Sequence, residues 1–348
     1  MKVYQIVANF NKGYHAGSKA TTDAVSIMSE LGIVEVPIII SNQEQGFKDK
    51  IKRQISFFKD WKSVYKKIEQ NSILILQTPF RIRQLGRFQV LKSLKENKQI
   101  KIVSLIHDVE LLRYDNKIAR KEFNEMLLLT DQFIVHNESM KKWFVEQGVP
   151  EEKLVVLQIF DYLNQKSSED PINFSRTVTI AGNLAKDKSP YVYELGNIPK
   201  TKFELLGVNY TPDSNPSNVT YRGAFPPDDV PNELTHGFGL VWDGPSVETC
   251  AGVTGEYLRF NNPHKLSLYL SSSLPVIIWS EAAEAEFVKK HNVGVVVSSL
   301  YNLEGVLSTI TVSEYNEMVK NTKKIKERLQ AGYYLKTATE YALKLLNR

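Results

Sequence analysis

Cysteine is almost absent from this chain. Cys250 stands alone among 348 residues, so no internal disulfide can form and nothing in the composition calls for an oxidising compartment. Long apolar runs are missing as well: stretches such as Ile73 to Leu76 and Pro275 to Trp279 fall far short of the ~20 residues that span a bilayer. No His/Cys cluster has zinc spacing, and neither GxSxG nor a Cys-His arrangement supports acyl-enzyme chemistry. Nor does one sign of charge dominate. The 44 basic and 39 acidic residues leave +5, too little to indicate a nucleic-acid partner. Met1-Lys2-Val3 leads into a short strand-like run, Val3 to Val7, in place of the longer apolar region of a signal peptide, so the expected address is cytoplasmic.

What is present is a 42% apolar chain long enough for two globular domains. Its charge is unevenly placed: between Lys48 and Lys101 there are 15 Lys/Arg against 4 Asp/Glu, a local +11. Such asymmetry guides association with an anionic partner and says nothing about fold.

The N-terminal half alternates short apolar runs with helical stretches. Val3 to Val7, Val34 to Ile40, Ile73 to Leu76, Ile102 to Ile106, Phe133 to Val135 and Leu154 to Leu157 read as buried parallel strands, with helical periodicity between them. Tyr162 to Ser175 is polar and aperiodic and reads as a linker. The alternation then restarts at Thr177 to Ala181, Phe203 to Gly207, Val219 to Tyr221, Phe238 to Trp242, Pro275 to Trp279 and Val293 to Val297. The expected organisation is α/β, with two doubly wound domains over 1–165 and 166–330, and a C-terminal helix over 331–348 that packs back on the first domain.

In open α/β sheets ligands collect beyond the carboxyl ends of strands, so the strand-to-helix junctions are the places to look. After the first strand, Asn9 to Lys19 contains Gly13, His15, Gly17 and Ser18; its glycines permit close backbone approach, although neither a P-loop nor GxGxxG is present. Ile106-His107-Asp108-Val109-Glu110 follows a buried strand. It reads either as a weak acidic-x-acidic metal signal, as an acid-base or hydroxyl-binding pair of His107 and Asp108, or as a strand-end cap. In the second half, Ala181-Gly182-Asn183 with Lys186, and Asn262-Pro263-His264-Lys265 at the start of a helix whose first turn suits Pro263, combine glycine, a helix N-terminus and lysines into a diphosphate site.

Taken in order, Gln77-Thr78-Pro79, Ile106 to Val109, Ala181 to Asn183, Gly237 to Trp242, and Asn262 to Lys265 with Leu274 to Ile277 resemble the GT-B glycosyltransferases. Within them the likeness is to the glucosyltransferases that extend glycans on bacterial serine-rich-repeat adhesins, and to related bacterial galactofuranosyltransferases. This resemblance implies two Rossmann-like domains facing across a cleft, a UDP-sugar held by the C-terminal domain, a glycan or glycoprotein acceptor held by the N-terminal one, and no essential metal or further cofactor. Lys186 and Lys265 match the basic residues that meet the diphosphate, with Gly182, Asn183, Asn262 and His264 beside them, and Gly207 and Val208 run near the uracil. Gly17, Ser18, Gln77, Thr78 and His107 are the acceptor-side candidates, and Asp108 or His15 is the acceptor's base. The chain departs from the wider retaining pattern in that Asn262 and Leu270 stand on ground usually held by glutamates. A UDP-sugar epimerase and a bilobed sugar-binding protein remain alternatives, and a homo-oligomer is compatible with either reading.

Over 47–69, Phe47, Ile51, Ile55, Phe58, Lys62, Tyr65 and Ile68 fall at helical spacing among basic neighbours. The simplest reading is the core face of a surface helix; the alternative is a basic face held on an anionic membrane, which would place the protein at the inner face of the cell membrane.

Overall fold

The computed structural model describes residues 1–10, 19–40, 46–80, 82–167, 169–214 and 216–347. In chain order the strands are β1 (Val3–Phe10), β2 (Val34–Ile40), β3 (Ile73–Thr78), β4 (Lys101–Ile106), β5 (Gln132–Val135), β6 (Leu154–Val156), β7 (Asn173–Asn183), β8 (Phe203–Val208), β9 (Val219–Gly223), β10 (His236–Val241), β11 (Val276–Trp279) and β12 (Gly294–Val297). The α-helices are α1 (Lys19–Glu30), α2 (Phe47–Lys67), α3 (Arg87–Lys98), α4 (Lys117–Leu129), α5 (Glu138–Glu146), α6 (Val230–Glu233), α7 (Gly252–Tyr257), α8 (His264–Ser271), α9 (Ala285–His291), α10 (Leu303–Thr309), α11 (Val312–Gln330) and α12 (Tyr333–Leu346).

Two compact units result. The first comprises Met1–His136, Lys141–Leu157 and Leu335–Arg348, and the second Asn137–Met140 and Gln158–Tyr334. The first holds an all-parallel sheet of order β2-β1-β3-β4-β5-β6, the second an all-parallel sheet of order β12-β11-β10-β7-β8-β9. Continuous burial along β3, β4, β5 and β11 shows why these strands read as unbroken apolar runs and not as alternating ones. In each sheet the strand order reverses once, between β1 and β3 in the first and between β7 and β10 in the second. These are the switch points at which a doubly wound sheet leaves a crevice for ligands.

Three local findings differ from the sequence reading. The segment 162–175 is not a free linker: β7 begins within it at Asn173, and Tyr162 and Lys166 are buried. Asn164 donates to Ser271 Oγ at 2.8 Å and accepts from Gln330 Nε2 at 2.7 Å, while Lys166 Nζ donates to the carbonyls of Pro231, at 2.9 Å, and Leu234. Its polar side chains satisfy backbone carbonyls that packing would otherwise strand. Burial, reinforced by Lys326, pulls the Lys166 ammonium down to about 8.

The second concerns α2. Its core face is Phe57, Trp61 and Val64, all fully buried against the sheet, with the Trp61 indole donating to Gln84 Oε1 at 2.9 Å. Phe47, Ile51, Ile55 and Phe58, expected to form the core stripe, are 77%, 45%, 49% and 40% exposed. The helix carries two apolar stripes at helical spacing, and only one of them meets the sheet. The third is Pro263, which immediately precedes α8 at its N-cap and does not lie in its first turn.

At the far end of the chain, Lys101 Nζ donates to the Leu346 carbonyl, and Lys336 pairs with Glu30 at 2.6 Å. From Leu335 onward, α12 therefore belongs to the first unit.

Candidate functional site

The second unit carries most of the candidates, and Lys265 and Gly182 meet at its switch point. Lys265, on the first turn of α8, reaches back to the carboxyl end of β10, where its Nζ lies 3.3 Å from the Trp242 carbonyl and 3.6 Å from Asp243 Oδ1. Gly182, at the end of β7, has a φ of +142° and faces the same lysine: a Cβ there would sit 3.6 Å from Lys265 Cε. Gly207 on β8 packs so closely on β7 that an added Cβ would be 1.8 Å from the Gly182 carbonyl oxygen. Glycine at both positions keeps the strand ends close and leaves the Lys265 ammonium on an open backbone edge.

Lys186 is turned elsewhere. It pairs with Asp213, lies 5.3 Å from the Tyr193 ring and is half-exposed. Asn183 accepts from Ala185 N and Asn209 Nδ2, both at 3.1 Å, fixing the turn that carries Lys186. Val208 is exposed beside a Tyr193, Tyr210 and Tyr221 cluster with ring centroids 5.0–5.5 Å apart, and the Tyr221 hydroxyl donates to the Gly207 carbonyl. A planar base has aromatic surface available there.

His264 and Asn262 shape the start of α8. The imidazole lies 5.7 and 5.5 Å from the Phe160 and Tyr162 rings, and Asn262 is buried, donating to the Gln158 carbonyl at 3.0 Å and accepting from Asn137 Nδ2 at 2.7 Å. Asn137 also donates to the Phe260 carbonyl and, at 3.5 Å, to Glu284 Oε1. Glu284 is 2% exposed and its Oε2 has no hydrogen-bond partner, so burial drives its carboxyl well above the ordinary carboxylate range despite the Asn137 contact. The folded state therefore binds a proton that the unfolded chain has already lost. Stability contributed by this group is complete below the ordinary carboxyl value and drains as pH rises through the elevated folded one, by at most about 1.4 kcal/mol per pH unit. Glu284→Gln keeps an amide oxygen toward Asn137 and removes the titration. Thermal unfolding followed from pH 5 to pH 8 should lose part of its pH dependence, with the variant relatively more stable at the alkaline end; an unaltered profile would refute a neutral Glu284.

Two residues that sequence reasoning passed over complete this region. Asp243 is the ion-pair partner of Lys265; its signal was an acid directly after the strand ending at Trp242 and before Gly244-Pro245. Tyr269, fully buried on α8, accepts a hydrogen bond from Ala181 N at 2.8 Å and lays its ring over Gly239, where a Cβ would be 2.2 Å from the ring. No spacing rule could have paired those positions.

In the first unit, Gln77, Thr78 and His107 meet at the carboxyl ends of β3 and β4. His107 Nε2 and Gln77 Oε1 are 2.7 Å apart, His107 N donates to the Thr78 carbonyl at 2.7 Å, and Thr78 Oγ1 donates to the Leu105 carbonyl. Asp108 accepts from Arg113 Nη2 at 2.7 Å, and the same guanidinium lies 3.4 Å from Glu110. The acidic-x-acidic pair thus straddles a cation of its own, and among the described residues no group of three or more His, Cys, Asp or Glu is placed to hold a metal. Beside Asp108 a small cavity is lined by Thr78, Phe80, Arg87 and Glu122, with the Arg87 guanidinium 4.5 Å from the Phe80 ring. His15, Gly17 and Ser18 lie outside the described residues.

Two doubly wound parallel sheets, one with glycine-lined strand ends around a helix-start lysine, form the architecture of the GT-B class. Family models place the particular branch. The N-terminal domain model of the glucosyltransferase 3-like family matches residues 3–159 and its C-terminal domain model residues 178–342, and the chain belongs to that family. It is 33% identical over 330 residues to the β-1,6-galactofuranosyltransferase WbbI of Escherichia coli K12, covering 93% of each chain. It is 26% identical over 324 residues to glucosyltransferase 3 of Streptococcus gordonii, covering 91% of each. Among solved structures it is similar in fold to the apo form of the lipopolysaccharide outer core galactosyltransferase WaaB (TM-score 0.62, 12% identity, 99% of each chain). The Anabaena protein HepE, solved in complex with UDP, is similar in fold as well (TM-score 0.60, 11% identity, the whole of each chain).

Proposed function

We propose that the protein transfers a hexosyl residue from a UDP-sugar to a hydroxyl of a bacterial surface glycan or glycoprotein glycan. The observation that carries this is Lys265, on the first turn of α8, set against Gly182 at the switch point of the second sheet. A mobile cation on a helix N-terminus, beside a backbone edge that glycine keeps clear, suits a diphosphate and the charge that develops on a departing UDP. Lys186 adds a second cation once Asp213 yields it. Gly207, Val208 and the neighbouring tyrosines suit the uracil, while Asn183, Asn262 and His264 set the turns that present these groups. In the first unit, His107 and Gln77 suit acceptor hydroxyls, and Asp108 or His15 takes the acceptor's proton. The names of WbbI and glucosyltransferase 3, and the UDP bound by HepE, support this reading. Calorimetric titration with UDP, followed by UDP-glucose, UDP-N-acetylglucosamine, UDP-galactose and UDP-galactofuranose offered to a panel of glycan acceptors, tests it. Tight UDP binding with acceptor-dependent transfer is expected. A new nucleotide sugar formed without acceptor would make the protein an epimerase, and no UDP binding would end the donor assignment.

We also propose peripheral contact with an anionic membrane through α2. No helix among the described residues is long and apolar enough to cross a membrane, but α2 carries Lys48, Lys50, Lys52, Arg53, Lys59, Lys62, Lys66 and Lys67 around the exposed Phe47, Ile51, Ile55 and Phe58. An apolar strip bordered by lysines suits an interface where rings enter the headgroup layer and each cation near the surface adds about 1 kcal/mol. Vesicles with phosphatidylserine should retain the protein at low salt and release most of it near 0.5 M, whereas neutral phosphatidylcholine vesicles should not retain it. Glutamine at the eight basic positions should end retention and leave UDP binding intact. Absence of retention at every salt concentration would leave α2 a surface helix only.

A further inference from the structure

Asp243 has no part in the reading above, yet it makes the ion pair of Lys265. Its carboxylate is 3.6 Å from Nζ, and the two side chains are 29% and 22% exposed. The groups packed behind the pair bring no competing cation. Tyr191 and Tyr269 are fully buried phenols, and the Cys250 thiol is buried as well. Burial holds all three above their ordinary values and so neutral. Among the described residues this is the one ion pair that either partner makes. A carboxylate so placed at the end of β10 lies beside any anion that Lys265 binds.

We infer that Asp243 is a built-in counter-anion of the donor site, which holds Lys265 in position in the free enzyme and repels the diphosphate that replaces it. This rests on the proposal that Lys265 binds UDP. An incoming diphosphate gains the ammonium but loses part of that gain to the carboxylate it displaces. Asp243 thereby weakens UDP binding and speeds product release. Binding that is too tight in the ground state does not help turnover, and a departing product must leave.

The sign of the effect makes the test sharp, because a merely structural residue weakens binding when changed. Asp243→Asn preserves size and an oxygen toward Lys265 and removes one negative charge. A like-charge interaction over about 5–6 Å corresponds to about threefold in a binding constant at the dielectric of water and to about a hundredfold at that effective near a protein surface, and about tenfold lies between these limits. Calorimetry should show UDP binding about tenfold tighter to the variant at low ionic strength, with the gain shrinking as salt is added. Uridine, which lacks the diphosphate, should bind both proteins equally, Asp243→Glu should restore the parent's weaker UDP binding, and UDP should become a stronger product inhibitor of the asparagine variant. Equal or weaker UDP binding by Asp243→Asn would overturn the inference. Parallel weakening of UDP and uridine would overturn it in favour of a structural role for Asp243. If the parent protein bound UDP but Lys265→Ala bound it equally well, the donor assignment itself would fail, a result distinct from either of these.

Discussion

Lys265→Ala is expected to leave a folded protein that binds UDP roughly 30-fold to more than a thousandfold more weakly and turns over correspondingly slowly. Truncating one partner of a partly buried charge pair with a ligand costs about 2–5 kcal/mol, which is that range in a binding constant. The structural loss is small by comparison. The Lys265 side chain is 22% exposed, its ion pair with Asp243 is long at 3.6 Å, and α8 is anchored elsewhere by Leu266, Tyr269 and Leu270, all fully buried. Thermal unfolding should therefore change little while calorimetry registers the lost affinity. Lys186→Ala should act in the same direction but less strongly, because that lysine is half-exposed and already paired with Asp213. Undiminished UDP affinity in folded Lys265→Ala would remove this residue from the donor site.

Gly239→Ala should be among the most damaging single methyl additions in the second unit. The new Cβ would stand 2.2 Å from Tyr269 Cγ, and the ring cannot retreat: it belongs to α8, and its hydroxyl accepts the Ala181 amide at 2.8 Å on the neighbouring strand. Relief requires α8 to shift bodily away from the sheet, and Lys265 moves with it. Overpacking of a dense core costs about 1–3 kcal/mol, and loss of the buried Ala181–Tyr269 hydrogen bond adds about 1–3 kcal/mol. Gly239→Ala should therefore show both a lowered unfolding temperature and lost UDP binding. Combining it with Tyr269→Leu, which removes the ring, should recover part of the stability, so that the two changes together cost less than their sum. Strict additivity would show that the clash is absorbed without moving α8.

The βα alternation was legible because parallel strands covered on both faces must be apolar throughout. Runs such as Ile73 to Leu76 and Val276 to Trp279 therefore announce themselves without any contact being known. Lys265 and Gly182 were legible for a similar reason: a strand end followed by glycine, and a helix start carrying a lysine, are local arrangements that a few consecutive residues specify. By itself, then, the sequence determined the class of fold and the places of the strand-to-helix junctions that carry glycine and lysine. It did not determine which side chains meet. In α2, Phe57, Trp61 and Val64 repeat with the same helical period as Phe47, Ile51, Ile55 and Phe58, and periodicity cannot say which stripe faces the sheet; the rotation of the helix over β2 decided that. Asp243 and Lys265 are 22 positions apart, and Gly239 and Tyr269 are 30 apart, each pair joined only because β10 and α8 pack on one another. Buried contacts of this kind form when strands assemble in a particular order. That order is fixed by the free energy of closing the whole core, which no short stretch of sequence contains.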